Sequence, residues 1–250
     1  MIIRKSDDEI ERMRRAGRIV ADTIERLREE VRPGLSTGEL DRIGERTIRD
    51  AGAIPSFKGY RGFPASICTS VNEELVHGIP GSRVLGEGDL LSMDVGAIWE
   101  GFHGDAAVTV FVDGPPSGDA EKLVRVTSES LEAGIAQVRP GGRLSDISHA
   151  VQQVAEGAGF SVVREYVGHG IGRNLHEEPP VPNYGPRGHG PELRPGLVIA
   201  IEPMVNLGSW ETRLLDDNWT VATADGSLSA HFEHTVAVTE NGPEVLTRRG

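Results

Sequence analysis

Four carboxylates stand in or directly beside apolar, strand-like runs of this chain, where a charged side chain is costly to bury. They are Asp94 in LLSMDVGAI, Asp105 before AAVTVFV, Glu202 in VIAIEPMV and Glu233 in AHFEHTVAV. Lysine and arginine are scarce within these runs, and an unpaired charge in a low-dielectric core is unfavourable. Divalent cations would neutralise the set, so the pattern indicates a dinuclear metal site that activates water for hydrolysis.

Histidine and glycine supply the second part of this pattern. His169 lies in GHGIG, His176 follows seven residues later, and His77 occurs in the similar phrase VHGIP. A site rich in oxygen with one imidazole suits manganese, iron(II) or cobalt better than it suits a cysteine-rich structural zinc site. Taken singly, a strand carboxylate is usually a solvated charge and a histidine beside glycine is usually structural. The joint pattern favours the metal site.

Other catalytic motifs are weak or missing in the sequence. HExxH and GxSxG do not occur, and GHGIG is not the dinucleotide-binding pattern GxGxxG. The single cysteine, Cys68, lies in SICTSVNEE, which we interpret as an apolar strand with a small buried thiol rather than a nucleophile.

Charge and composition exclude several classes of protein. The net charge of −12 argues against nucleic acid and anionic membranes as main partners. The N-terminal segment lacks the apolar core of a signal peptide, and no apolar run is long enough to span a membrane. With a single cysteine, the composition fits a reducing compartment, and we expect a cytoplasmic protein.

The predicted elements place each carboxylate at a buried strand. Capping-box patterns in SDDE and STGE open two helices near the N-terminus, and residues 119–138 and 144–158 are predicted to form two more. Strands are predicted in seven runs: 65–71, 89–98, 104–112, 161–167, 197–205, 219–223 and 230–239. A hairpin around residues 99–101 in which residue 98 pairs with residue 101 would set Asp94 directly opposite Asp105, an arrangement that a metal ion between them would stabilise.

An internal repeat supports the same arrangement. VRPGLSTGELDRIGERTIRDAGA matches VRPGGRLSDISHAVQQVAEGAGF at an offset of 107 residues without a gap. At an offset one residue larger, GDLLSMD matches GLVIAIE, and this match aligns Asp94 with Glu202. Self-similarity of this kind indicates duplication, although VRPG can also recur because glycine and proline close helices. We expect one metallopeptidase domain over 1–250 with two halves, about 5–112 and about 119–240.

The motifs together resemble one known family. SICTSVNEELVHGIP, DVGAIWEGFHGD, GHGIGRNLHEEP, IEPMVN and EHT follow one another across nearly the whole chain, and this combination is similar to that of type I methionine aminopeptidases. The resemblance implies an α/β (α+β) protein with the pita-bread fold of creatinases and aminopeptidases, in which duplicated halves related by a pseudo-twofold axis enclose a metal pair. It also implies removal of the N-terminal methionine from nascent proteins and peptides when the second residue is small.

The resemblance assigns roles to individual residues. The metal ligands would be Asp94, Asp105, His169, Glu202 and Glu233, with Asp105 and Glu233 bridging two ions. Three residues would be catalytic: Glu202 would shuttle protons, His77 would contact the substrate near the scissile amide, and His176 would stabilise the carbonyl oxygen as charge develops. The substrate would be bound by His77, His176, Tyr60, Phe63, Cys68 and Trp219.

The resemblance also sets expectations for cofactors and partners. Two divalent ions per chain would be cobalt, manganese or iron(II), with zinc or nickel as further candidates. We expect a monomer that acts on the N-termini of nascent polypeptides and associates transiently with the ribosome, without direct nucleic-acid binding and without a membrane. Two alternatives stay open: another pita-bread hydrolase, such as an Xaa-Pro peptidase or a creatinase-like enzyme, and a catalytically silent pita-bread protein that binds partners such as ribosomes.

Three positions depart from the common family pattern. Arg61 replaces a histidine that many bacterial relatives carry at the pocket rim, Leu175 replaces an aromatic residue or methionine, and His231 replaces a glutamine. We expect none of the three to touch a metal ligand, so that they affect substrate preference and inhibitor fit rather than the reaction.

Overall fold

The four α-helices begin and end close to their predicted positions. The computed structural model describes residues 1–115 and 117–249. Its helices are α1 (Asp7–Glu30), α2 (Thr37–Asp50), α3 (Gly118–Ile135) and α4 (Leu144–Gly157). Both predicted capping boxes are confirmed, because the Ser6 and Ser36 hydroxyls each accept from the backbone N–H three residues on, and the glutamate there accepts in return.

The strands are short, except for one long central hairpin. In chain order they are β1 (Ile54–Pro55), β2 (Ile67–Val71), β3 (Glu74–Val76), β4 (Leu90–Trp99), β5 (Phe102–Phe111), β6 (Ser161–Val162), β7 (Gly168–Gly170), β8 (Glu177–Val181), β9 (Val198–Ile201), β10 (Met204–Asn206), β11 (Thr212–Leu214), β12 (Val221–Thr223), β13 (Ser229–His231), β14 (His234–Thr239) and β15 (Gly242–Val245). Of the residues predicted as a strand at 161–167, only the first two form one, as β6.

Two predicted strands are each broken into two. The run 197–205 divides into β9 and β10 around Glu202 and Pro203, and the run 230–239 divides into β13 and β14 ahead of His234. Proline donates no ladder hydrogen bond, which accounts for the first break. Both breaks contain a predicted metal ligand, Glu202 in one and Glu233 in the other.

Each half of the chain contains the same three-strand unit. β4 pairs antiparallel with β5 and with β2, and β9 pairs antiparallel with β14 and with β7. The backbone also repeats at the predicted offset, since Gly34 and Gly141 end the VRPG phrases with positive φ values of 85° and 81°. We infer that the domain over 1–250 consists of two equivalent halves, about 5–112 and about 119–240.

The central hairpin has a different register from the predicted one. Its turn consists of Glu100 and Gly101, both with positive φ (46° and 79°), as a two-residue type I′ turn requires. Asp94 therefore pairs with Ala107, and Asp105 lies two positions away on the same face. The predicted shared face is confirmed, but the predicted direct opposition was wrong, because it centred the turn one residue too early and ignored the glycine requirement.

The two halves meet along a seam formed by residues 105–109 of β5 and residues 231–235. At its centre, the Glu233 N–H donates to the Ala107 carbonyl (2.9 Å) and the Ala107 N–H donates to the Glu233 carbonyl (3.3 Å). This reciprocal pairing is that of an antiparallel ladder. It places Glu233 of the second half directly beside the strand that carries Asp105.

A threonine side chain forms two hydrogen bonds across the seam at each of its ends. The Thr109 hydroxyl accepts from the His231 N–H and donates to the His231 carbonyl, both at 2.8 Å. At the other end, the Thr235 hydroxyl accepts from the Asp105 N–H (3.0 Å) and donates to the Asp105 carbonyl (2.8 Å). The backbone on either side of the predicted ligands is thereby fixed from the opposite half.

Apolar side chains of the helices are buried against the strands of their own half. One cluster joins Leu27 and Leu40 to Met93 of β4, and another joins Leu131 and Ile147 to strands β9 and β14. Burying one such side chain contributes about 1.5–3 kcal/mol.

Helix α1 also approaches β5 at backbone distance. A Cβ atom on Gly104 would lie 2.7 Å from the Gly17 nitrogen, so only glycine allows this contact. Among the described residues, no helix combines the length and apolarity needed to cross a membrane.

Candidate active site

All eleven predicted site residues line one cavity of about 150 Å³. They are Tyr60, Phe63, Cys68, His77, Asp94, Asp105, His169, His176, Glu202, Trp219 and Glu233. The lining also includes Arg61 and Leu175, noted above as departures, and Phe57, which the sequence interpretation missed. Phe57 belongs to the aromatic segment SFKGYRGF, whose other aromatic residues were predicted.

Strands of both halves bring the five predicted ligands together. Asp94 lies on β4 and Asp105 on β5, whereas His169 lies on β7 and Glu202 directly follows β9. Asp105, His169 and Glu233 each offer a ligand atom, and these atoms lie within 4.8 Å of one another. Glu202 Oε1 is 3.5 Å from His169 Nε2. The structure thus brings Asp105, His169, Glu202 and Glu233 together, with Asp94 in the lining of the same cavity.

The electrostatics of this cluster favour a bound cation. Burial raises the pKa of Asp94 to about 7, and burial together with the neighbouring carboxylates raises the pKa values of Asp105, Glu202 and Glu233 well above their ordinary range. Three buried oxygens, Asp94 Oδ1, Asp105 Oδ1 and Glu233 Oε1, have no hydrogen-bond partner within the described part of the chain. Oxygen donors of this kind, together with one imidazole, fit divalent metal ions.

A hydrogen bond to the neighbouring backbone orients the His169 ring for metal binding. Its Nδ1–H donates to the Gly170 carbonyl at 2.9 Å, which leaves the lone pair on Nε2 free for a metal. Burial, and next the neighbouring His176, lower the pKa of His169 to about 3. The ring is therefore neutral at physiological pH, as metal binding requires.

His176 lies between the ligand cluster and the cavity rim. Its ring centroid is 4.2 Å from that of His169, and its Nδ1 is 2.8 Å from the Tyr60 hydroxyl. Burial is the main cause that lowers the pKa of His176 to about 4, followed by the Arg61 guanidinium and His77. His176 is therefore a neutral hydrogen-bonding group in this cavity.

Aromatic rings and a thiol form the cavity walls. Phe63 and Trp219 meet edge to face with ring centroids 5.1 Å apart, and His77 meets Trp219 in the same way at 6.4 Å. Cys68 pairs with Asp94 across β2 and β4. Burial, and next the Asp94 charge, raise the pKa of the Cys68 thiol well above its usual value, which agrees with its interpretation as a packed apolar residue.

The whole chain and its fold match one family of enzymes. Residues 11–240 match metallopeptidase family M24. The chain belongs to this family. Methionine aminopeptidase 1 of Bacillus subtilis (strain 168) is 60% identical over 248 residues, which are 99% of this chain and 100% of that protein. M24 metallopeptidases use divalent metal ions, in agreement with the carboxylate cluster described above.

Solved structures give the same result for the fold. The methionine aminopeptidase of Thermotoga maritima superposes with a TM-score of 0.98 at 47% identity, covering 100% of both chains. The prolidase of Pyrococcus furiosus superposes with a TM-score of 0.80 at 22% identity over 99% of this chain and 66% of that one, a likeness that concerns the fold alone. The predicted pita-bread fold and the resemblance to methionine aminopeptidases are confirmed.

One departure lies closer to the cluster of this M24 metallopeptidase than predicted. His231 Nε2 is 3.8 Å from Glu202 Oε2, so the expectation that His231 touches no predicted ligand was wrong. The signal was present in the sequence, because His231 precedes Glu233 by two positions and alternate residues of an extended segment share a face. Arg61 and Leu175 line the cavity without such a contact to a carboxylate.

A buried ion pair holds the loop that carries His176. Lys5 Nζ lies 2.7 Å from Glu177 Oε2, with side-chain exposures of only 2% and 5%. Glu177 directly follows His176, and its Oε1 accepts from the Asn174 N–H at 3.1 Å. The N-terminal segment is thereby tied to the active-site loop, a contact that the sequence interpretation did not predict.

Proposed function

We propose that this M24 metallopeptidase removes methionine from the N-termini of nascent proteins and peptides when the second residue is small. The observation that carries the proposal is that the five predicted ligands, three of them with a buried oxygen that lacks a hydrogen-bond partner, line the same cavity as aromatic rings and a thiol. The likeness to the methionine aminopeptidases of Bacillus subtilis and Thermotoga maritima supports the same activity. The enzyme would meet its substrates in the cytoplasm as a monomer in transient contact with the ribosome.

The proposed metal ligands are Asp94, Asp105, His169, Glu202 and Glu233, and the donor set suits two ions of cobalt, manganese or iron(II). When bound, the metal pair polarises the scissile carbonyl and lowers the pKa of the attacking water. Asp105 and Glu233 would help to hold the ions from the two sides of the seam, where Glu233 pairs with Ala107 of β5.

Glu202 is the proposed proton carrier. Its side chain is 13% exposed, and in the metal-free protein burial is the largest cause that raises its pKa well above the usual value. A carboxylate beside the attacking water can accept its proton and return it to the leaving amine, and Glu202 would do so from its place among the proposed ligands.

Two neutral histidines would handle the substrate amide. With the Tyr60 hydroxyl donating to Nδ1 of His176, the ring proton lies on Nε2 and can donate to the carbonyl oxygen as negative charge develops. His77 has a left-handed backbone (φ 61°), a conformation that clusters at functional sites, and burial lowers its pKa. It would contact the scissile amide from the other side of the cavity.

The methionine side chain would lie between Phe63, Trp219 and Cys68. These walls are apolar, and sulfur contacts with aromatic rings are favourable. These three residues belong to the lining of the same cavity, of about 150 Å³, as the proposed ligands, so the side chain would lie close to the metal ions.

Release of methionine from short peptides tests the proposal. Chelator-stripped protein is given Met-Ala-Ser or Met-Lys-Ser, with and without Co(II), Mn(II) or Fe(II). We expect metal-dependent cleavage of Met-Ala-Ser alone, lost in Glu202→Ala and retained in the surface control Glu129→Gln. Inactivity of folded protein with every metal would favour the silent binding protein, and cleavage of Xaa-Pro peptides would contradict the assignment of the pocket.

A further inference from the structure

The Glu202 carboxylate lies between two imidazole rings. Its Oε1 is 3.5 Å from Nε2 of His169, and its Oε2 is 3.8 Å from Nε2 of His231. His169 belongs to the proposed ligand set, whereas His231 has no assigned role. The two oxygens of one carboxylate therefore face one proposed metal ligand and one ring without an assigned role.

The ring of His231 is buried and lacks a partner. Its side chain is 2% exposed, and Nε2 makes no hydrogen bond to any residue that the structure describes. A buried N–H group left unpaired is unfavourable, so such groups are nearly always satisfied. Glu202 Oε2 lies 3.8 Å away, and a carboxylate oxygen of Glu233 lies within 4.8 Å of a ring nitrogen.

The backbone of His231 is held rigidly by the other half of the chain. The Thr109 hydroxyl bonds both the N–H and the carbonyl of His231 at 2.8 Å, and the same hydroxyl is 2.8 Å from that of Ser92. On its other side, His231 pairs with Met204 of β10. The ring is thus directed at Glu202 by a backbone that has little freedom to move.

We propose that His231 is a positioning residue that donates its Nε2–H to Glu202 Oε2. This inference rests on the proposed function, in which Glu202 is a metal ligand and proton carrier. The separation of 3.8 Å exceeds a hydrogen bond, so the proposed bond requires the Glu202 carboxylate to turn towards His231. With Oε2 held by His231, Oε1 stays turned towards His169. Partners that orient a ligand in this way typically change metal affinity by roughly 10- to 100-fold.

Metal affinity measured by calorimetry tests the role of His231 without relying on activity. Mn(II) is titrated into chelator-stripped wild type, His231→Leu and His231→Gln. We expect His231→Leu to bind roughly 10- to 100-fold more weakly, and His231→Gln to regain most of the affinity because its amide N–H can also donate. His234→Gln is the matched control, since this neighbouring buried ring bonds to Thr247 instead, and its affinity should equal that of wild type.

Three outcomes would overturn the inference. One is unchanged Mn(II) affinity in His231→Leu; where that variant does not fold, unchanged affinity in the shorter, polar His231→Asn has the same meaning. Another is loss of affinity in His231→Gln equal to that in His231→Leu. The third is X-ray absorption of the Co(II) protein that shows two imidazole ligands, one of them lost in His231→Leu, since His231 would then be a metal ligand. Failure of the proposed function is distinguishable, because wild type itself would then bind no metal or cleave no Met-Ala-Ser.

Discussion

Replacing Lys5 by methionine should destabilise the protein, because it leaves the Glu177 carboxylate as an unpaired charge in a buried position. The ion pair is short (2.7 Å) and both side chains are at most 5% exposed, so water and salt screen it weakly. Glu177 cannot simply turn to solvent, since its Oε1 also accepts from the Asn174 N–H. Removing one partner of a buried pair is unfavourable by about 3–5 kcal/mol.

The size of the effect can be stated as a melting temperature. For a chain of this length, 1 kcal/mol corresponds to a shift of about 2–4 °C, so Lys5→Met should lower the melting temperature by roughly 6–20 °C. Glu177→Gln should be destabilising as well. In the double variant neither charge is left unpaired, and the two effects should fall short of additivity by about 1–3 kcal/mol.

Equilibrium unfolding in urea of metal-free protein measures these free energies. The matched control is the pair Arg125–Glu129 on α3, whose N–O distance is 2.9 Å but whose side chains are 59% and 52% exposed. Arg125→Met should change the free energy of unfolding by no more than about 0.5 kcal/mol. A loss at Lys5 as small as this control, or strict additivity in the double variant, would refute the reasoning.

Three further outcomes are expected. Gly104→Ala should lower the free energy of unfolding in urea by about 1–3 kcal/mol or more, because its Cβ would lie 2.7 Å from the backbone of α1; an unchanged value would contradict the close approach. Thr235→Val should be destabilising by about 1–3 kcal/mol in the same assay, since it removes both hydrogen bonds to the Asp105 backbone; full stability would show that they contribute little. Arg61→Ala should raise the pKa of His176 above its present value of about 4. NMR titration of metal-free protein measures this pKa, and a lower pKa in the variant would contradict the assigned cause. Because the folded-state pKa lies below the ordinary value of about 6.5, His176 makes stability fall as the pH drops from about 6.5 to about 4, and Arg61→Ala should weaken this dependence.

The sequence alone predicted the features whose signals are local. Capping boxes and helical periodicity located the helices, because these patterns lie within a few neighbouring residues. The carboxylates in apolar runs indicated the metal site, since burial of a charge demands a partner wherever the strands end up. All eleven predicted side chains line one cavity, although their individual roles stay proposals.

The features that the sequence did not predict depend on geometry or on distant contacts. The hairpin register depended on a single residue, because Gly101 had to occupy a turn position with positive φ. The contact of His231 with Glu202 joins two strand ends whose separation no local pattern defines. The pair of Lys5 and Glu177 spans 172 positions, and both residues resemble ordinary surface charges in the sequence.

The seam between the two halves has a thermodynamic consequence. Asp94 and Asp105 come from the first half, and His169, Glu202 and Glu233 come from the second. Ions held by all five would act as a reversible cross-link between the halves, stabilising their association by about 4 kcal/mol at a free metal concentration 1,000 times the dissociation constant. Closure of the two halves and metal uptake would then be one linked equilibrium, so that a strain that parts the halves also releases the ions, and a chelator loosens the whole domain.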